Sequence, residues 1–193
     1  MIHWNPYCNL PPSHHYSLGI AHAPLDLGDD AADPEDETVI DSGFEFGMID
    51  FPGSRSWKRL DGTRSWDPKA QYGDGSIYVS GRHNPVDILE LSVKRLSELR
   101  YEISALVAVN FSFESAGYKN DRFAFTTTVE YSQMCISIPI WNNPEEVVIP
   151  DEWRVPRAWT PETSAEFASR FVDLEDYGDP RMEEHSVVFE PKV

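Results

Sequence analysis

Two neighbouring stretches, ALVAVNFSFES (residues 105–115) and RFAFTTTVEYSQMCISIPIW (122–141), constrain the fold of this chain more than any other part of it. The first sets Val107, Val109, Phe111 and Phe113 against Ala108, Asn110 and Ser112, and the second opens with Phe123, Phe125, Val129 and Tyr131 at odd positions. Apolar residues at period two suit a strand with one buried face. The spacing therefore predicts an antiparallel pair, strands 105–114 and 122–131, joined by SAGYKND. After Gln133 the apolar set moves to Ile136, Ile138 and Ile140. A one-residue change of phase would turn the buried face outward, so a bulge or strand break is required near Ser132–Met134.

The stretch before this pair, NPVDILELSVKRLSELRYEIS, predicts a long covering helix over 84–103. Asn84 suits the cap, Pro85 the first helical position and Asp87 the positive end of the helix dipole, while Leu89, Val93, Leu96, Leu99 and Ile103 recur every three or four residues. On this reading Leu96 is buried against the sheet. Thr160-Pro161-Glu162 opens a second, C-terminal helix over about 161–175, with Thr163 and Glu166 as a further capping box and Phe167, Phe171 and Leu174 on its apolar side. Further strands are expected around Phe44–Met48, in GSIYVSG (75–81) and in HSVVFE (185–190), and residues 1–37 read as an acidic, loop-rich segment. Helices and strands do not alternate as β-α-β units. The expectation is a single α+β domain of 193 residues built on an antiparallel sheet.

Charge is distributed unevenly. The net charge is −17. Residues 1–54 hold ten acids and no Lys or Arg, residues 55–143 ten acids and eleven bases, and residues 144–193 thirteen acids and five bases. Such a field repels phosphate backbones and anionic membranes and attracts basic proteins, so no nucleic-acid or membrane partner is expected. The N-terminus lacks a basic region followed by an apolar one, and Cys8 and Cys135 are far apart, which fits a reduced cytoplasmic chain with free thiols.

No Walker, H-E-x-x-H or G-x-S-x-G pattern occurs, and GDGSIYVSG has Tyr78 where a dinucleotide fingerprint needs its third glycine. The run Asp26–Asp41 fits no EF-hand register: a start at Asp29 puts Ala31 at the third position, and a start at Asp33 puts Thr38 where glycine is required. His14, His15 and His22 match no metal-ligand spacing. No catalytic residue, cofactor or metal ligand is assigned.

The repeat in RSWKRLDGTRSW (55–66) contains the first four basic residues of the chain. Asp-Gly is a preferred two-residue hairpin turn. A turn at Asp61-Gly62 would set Trp57 opposite Trp66 and Arg59 opposite Arg64, either as an aromatic and basic contact surface or as a structural hairpin whose tryptophans bury against the core.

These features lead to the expectation of a non-enzymatic protein-binding domain that engages a basic partner such as a bacterial nuclease toxin through Asp26, Asp29, Asp30, Asp33, Glu35, Asp36, Glu37 and Asp41. The profile is similar in type to that of toxin-immunity proteins, an analogy that rests on no motif and assigns no residue. The alternatives are a hydrolase using His and Asp of the N-terminal third, and a structural or assembly component, for instance of a phage.

Overall fold

The computed structural model describes residues 1–5, 10–21, 25–26, 39–40, 43–49, 51, 53–65, 74–79, 82–113, 119–139 and 147–193. Strands dominate it. The expected antiparallel pair is present, but its first strand lies five residues earlier than 105–114: β10 spans Arg100–Val109, residues 111–113 form a turn with Phe113 60% exposed, and β11 spans Asp121–Glu130, in register from Arg100 opposite Glu130 to Val109 opposite Asp121. On β10 the alternation is complete: Tyr101, Ile103, Ala105, Val107 and Val109 are buried and their neighbours are not.

The helix expected over 84–103 is instead a β-hairpin. Residues Arg82–Arg95 form β9, which runs antiparallel to β10, and the chain turns through Leu96–Leu99. The helical pattern came from a bulge and a turn: of the stripe, Leu89 and Val93 lie in β9, Leu96 and Leu99 in the turn and Ile103 in β10. Val86 and Ile88 point into the core at period two, Leu89 is the extra residue where the register shifts, and Leu91 and Val93 resume the alternation one position later. Two period-two runs offset by one residue imitate the three-to-four spacing of a helix. Leu96 is 48% exposed at the turn, not buried.

β9 organises a seven-stranded sheet. One edge of it pairs with β10; the other pairs end to end with β8 (Asp74–Val79) and β7 (Gly62–Ser65). Beyond β8 lie β6 (Gly43–Ile49) and β3 (Tyr16–Ala21), so that β3 and β11 are the outer strands of the order β11-β10-β9-β8-β6-β3. The strands expected at Phe44–Met48 and in GSIYVSG are thus β6 and β8. At Gly75 a Cβ would stand 2.6 Å from the Val86 carbonyl oxygen and 2.8 Å from the Phe46 ring, so only glycine lets β8 approach there.

A second sheet has five strands. β1 (Ile2–Asn5) lies between β2 (Leu10–His14) and β12 (Met134–Ser137), and β14 (Ser186–Phe189) and β13 (Arg181–Met182) complete the order β13-β14-β12-β1-β2. The pairing of β1 with β12 is parallel, with Ile2 opposite Ile136. The phase change at Ser132–Met134 is therefore a change of sheet: β11 ends in one and β12 starts in the other. The expected strand HSVVFE is β14. Val187 and Phe189 join Ile2, Trp57, Val107, Met134 and Phe167 in one buried core.

Two more expectations are corrected. Residues 1–37, read as loop, contain β1, β2, β3 and the short strand β4 (Leu25–Asp26), which pairs with β5 (Val39–Ile40). Ile2 and Trp4 are both buried, and Pro11 and Pro12 are accommodated because β2 is an outer strand. The C-terminal helix, α1, is Pro161–Ala168 and does not reach 175. Its start is as expected, with Thr160 as cap in a reciprocal box with Thr163, but Ser169–Val172 turn tightly and Leu174–Asp176 form a separate 3-10 turn. The mixed composition stands, with strands far outweighing helix.

Leu96→Ala is expected to change stability by less than about 0.5 kcal/mol, whereas Leu91→Ala should cost about 2–5 kcal/mol. Chemical denaturation of the two variants checks this. Equal losses would contradict the hairpin.

Candidate functional site

The basic cluster at residues 55–59 does not form the expected hairpin. Trp57–Arg59 is a 3-10 turn capped by Ser56, whose hydroxyl oxygen accepts the Lys58 N–H at 3.1 Å. Gly62 has φ 132°, a conformation that favours glycine, but the strand that starts there pairs with β9 instead of folding back on residues 57–60. Trp57 is 0% exposed. Its ring stacks on Tyr131 at 5.9 Å, the Lys58 ammonium and the Arg95 guanidinium lie 5.2 and 5.5 Å from it, and its indole N–H donates to the Asp176 carbonyl at 3.1 Å. The Tyr101 hydroxyl donates to the Trp57 carbonyl.

The cations of this segment act on the C-terminal part of the chain. Arg55 donates to the carbonyls of Ser169, Arg170 and Val172 at 2.8, 3.2 and 3.4 Å and to the Asp173 carboxylate at 3.1 Å. The carbonyls that follow a helix end lack intrahelical partners and carry partial negative charge, which an arginine fork satisfies. Lys58 pairs with Asp176 at 2.8 Å and Arg59 with Asp173 at 3.8 Å. Ser56 also donates to the Asp176 carboxylate. Burial pushes the Asp176 carboxyl up, but hydrogen bonds from Lys58 and Ser56 and the charges of Lys58 and Arg59 outweigh it and hold the group below the ordinary carboxylate range.

Next to this clamp, on the core face of the seven-stranded sheet, a cleft of about 270 Å³ opens between the sheets. Its walls are mostly apolar, with Leu18, Leu91 and Val93 among them, and Gln133 and Cys135 add polar groups. Tyr16, Tyr101 and Tyr131 line it as well. Burial raises all three phenols, and it raises the Cys135 thiol too. At neutral pH these four groups are uncharged, and the thiol is not activated as a nucleophile. The phenol hydroxyls are engaged within the protein, Tyr101 with the Trp57 carbonyl, Tyr16 with Ser54 and Tyr131 with Tyr177, so such a wall suits binding through shape and apolar contact.

Of the expected partner-binding acids, Asp26 lies in β4 opposite Val39, while Asp29, Asp30, Asp33, Glu35, Asp36, Glu37 and Asp41 lie outside the described residues. Arg64 lies in β7 opposite Leu91, and Trp66 is outside the described residues. Burial of Trp57 makes it a core residue. The sequence signal for the clamp was present in the basic cluster itself, but its partners Asp173 and Asp176 stand more than a hundred positions away, beyond the reach of local pattern. Among the described residues no group of three or more His, Cys, Asp or Glu is placed to hold a metal. His14 ends β2 with Nε2 buried and unpartnered, and His22 is outside the described residues.

The His14 ring is held down to about 3, by burial first and then by the positive charges of the Met1 amino group, His15 and Arg55. The unfolded ring takes up a proton near 6.5, so the folded chain refuses a proton that the unfolded chain binds. Stability should be full above that value and decline as pH falls from about 6.5 towards 3. His14→Gln should flatten this decline in urea denaturation at stepped pH. Asp176 acts further down the scale, because its stabilising charge is lost as pH falls through its depressed folded value, and Asp176→Asn should leave the wild-type slope between pH 6.5 and 5 intact while reducing the loss below about 3.8.

Compared with family models, with curated proteins and with solved structures, the chain matches none of them.

Proposed function

We propose that this chain is a non-enzymatic protein-binding domain whose acidic surface engages a basic partner, in the manner of an inhibitor or immunity protein acting on a nuclease toxin. One observation carries the reading. Arg55, Lys58 and Arg59, the first cations in the sequence, are committed to Asp173, Asp176 and the end of α1. The bases nearest in sequence to the acids of 26–41 thus serve the other end of the chain, and the net charge of −17 leaves acids in large excess. Unneutralised carboxylates raise the rate at which a basic protein arrives and orient it before contact. The uncharged tyrosines and thiol of the cleft also favour binding over proton transfer.

The test uses the full chain and, as probes, the basic protein encoded by the neighbouring gene and a panel of basic nuclease domains. Association should be fast and should slow steeply with salt. Replacing Asp29, Asp30, Asp33, Glu35, Asp36 and Glu37 by their amides should lower the association rate by about tenfold or more and flatten the salt dependence. Unchanged association kinetics in this variant would remove the acidic run as the steering surface. A chain that binds no basic protein in the panel would overturn the reading itself.

A further inference from the structure

Strand β11 is the outer strand of the seven-stranded sheet, and its pairing with β10 fixes which of its backbone groups are in use. The Tyr131 N–H donates to the Leu99 carbonyl at 2.8 Å, one step beyond the pair Arg100 and Glu130. Successive residues of a strand turn their N–H and C=O to opposite sides. Odd-numbered residues of β11 therefore bond to β10, and Arg122, Ala124, Thr126, Thr128 and Glu130 turn their backbone groups outward. Among the described residues these outward groups meet no other strand; the Arg122 N–H is occupied by the carboxylate of its own neighbour Asp121 at 2.7 Å.

Outer strands are normally blunted by lysine, proline or a bulge. From Phe123 to Val129 this one carries no charge, no proline and no break in register. Its core face is also unfinished. Phe123 lies beside the wholly buried Val107 and is itself 39% exposed, and Phe125 and Val129 are half-buried. The two ends of the uncharged stretch carry opposite charges, Arg122 and Glu130, and neither side chain has an ion-pair partner among the described residues.

We propose that β11 pairs antiparallel with β11 of a second copy of this chain, about a two-fold axis that passes at Thr126. Register restricts the possibilities. Outward-facing residues can pair only with outward-facing residues, so the numbers of two partners must add to an even sum. With Thr126 opposite the second copy's Thr126, Arg122 meets Glu130 of the second copy at both ends of the strand. Arg122/Glu130 and Ala124/Thr128 then become hydrogen-bonded pairs. Phe123/Val129 and Phe125/Thr127 fall at the closer, non-hydrogen-bonded positions, which extends the apolar core face across the axis. Moving the axis by one residue either way keeps the parity but sets Arg122 opposite a threonine or beyond the overlap, and the charge match is lost.

An interface made by one strand edge is small, so the dimer is expected in the micromolar range of dissociation constants, about 1–100 µM. Sedimentation velocity of the full chain at physiological ionic strength, where the like net charge of the copies is screened beyond about 8 Å, should show a concentration-dependent monomer–dimer equilibrium. Arg122→Glu and Glu130→Arg should each weaken it about tenfold or more by placing like charges opposite one another, and the double variant should restore it. Thr126→Pro should abolish the dimer with only a small loss in the thermal midpoint of the monomer, since the lost N–H makes no internal bond and only the exposed hydroxyl contact with Ser104 at 2.8 Å goes with it. If that variant unfolds, the charge-swap set decides. A monomer across this concentration range, single swaps without effect, a double swap that fails to restore pairing, or growth into open-ended oligomers would each overturn the proposal.

Discussion

The stacking of Trp57 on Tyr131 beneath two cations, with Arg55 gripping the end of α1, is the contact on which the remaining architecture depends. It joins three regions that share no strand pairing: the segment before β7, the point where β11 hands over to β12, and the turns after α1. A buried indole of this size contributes several kcal/mol, about 3–5 by the cost of truncating it to alanine. Removing it would also take away the indole N–H on the Asp176 carbonyl and loosen the turn that presents Arg55, Lys58 and Arg59 to Asp173 and Asp176.

Legibility in the sequence followed the range of the interactions. β11 and the second half of β10 were readable because their alternation is unbroken, whereas residues 100–103 fell within the expected helix and Phe111 and Phe113 carried the expected strand past its end. The start of α1 was readable because its cap is made within four residues, Thr160 to Thr163. β9 was misread for a physical reason: the bulge at Leu89 shifts its alternation by one, and Asn84-Pro85 resembles a helix start although Asn84 is buried and Pro85 sits in the strand opposite Ser76. The hairpin at Asp61-Gly62 was misread because the turn dipeptide and the repeat are local signals, whereas the attraction of Arg55, Lys58 and Ser56 to Asp173 and Asp176 is not. Tertiary contacts overrode local preference at both places. The N-terminal strands were hidden by prolines and polar residues that an outer strand tolerates.

The same long-range pairings account for the distribution of charge. Among the described residues, the cluster at 55–59 brings its cations to the acids of the C-terminal side. The C-terminal acids Asp173 and Asp176 are consequently part of the fold. The acids of residues 26–41 precede every Lys and Arg in the sequence, and this asymmetry distinguishes the two acidic ends.

The parallel pairing of β1 with β12 has a consequence for how the chain assembles. Ile2 meets Ile136, and β12 in turn needs β14, whose residues 186–189 come some fifty positions later, so the five-stranded sheet draws on both extremes of the sequence. The seven-stranded sheet uses only residues 16–130, most of it through neighbouring hairpins. During synthesis on the ribosome, β3 to β11 are complete while β1, paired so far only with its neighbour β2, still waits for β12. High contact order of this kind slows folding, and it leaves the apolar side chains of Ile2 and Trp4 uncovered for the longest interval. The nascent chain is thus most in need of protection at a strand made long before the one that covers it.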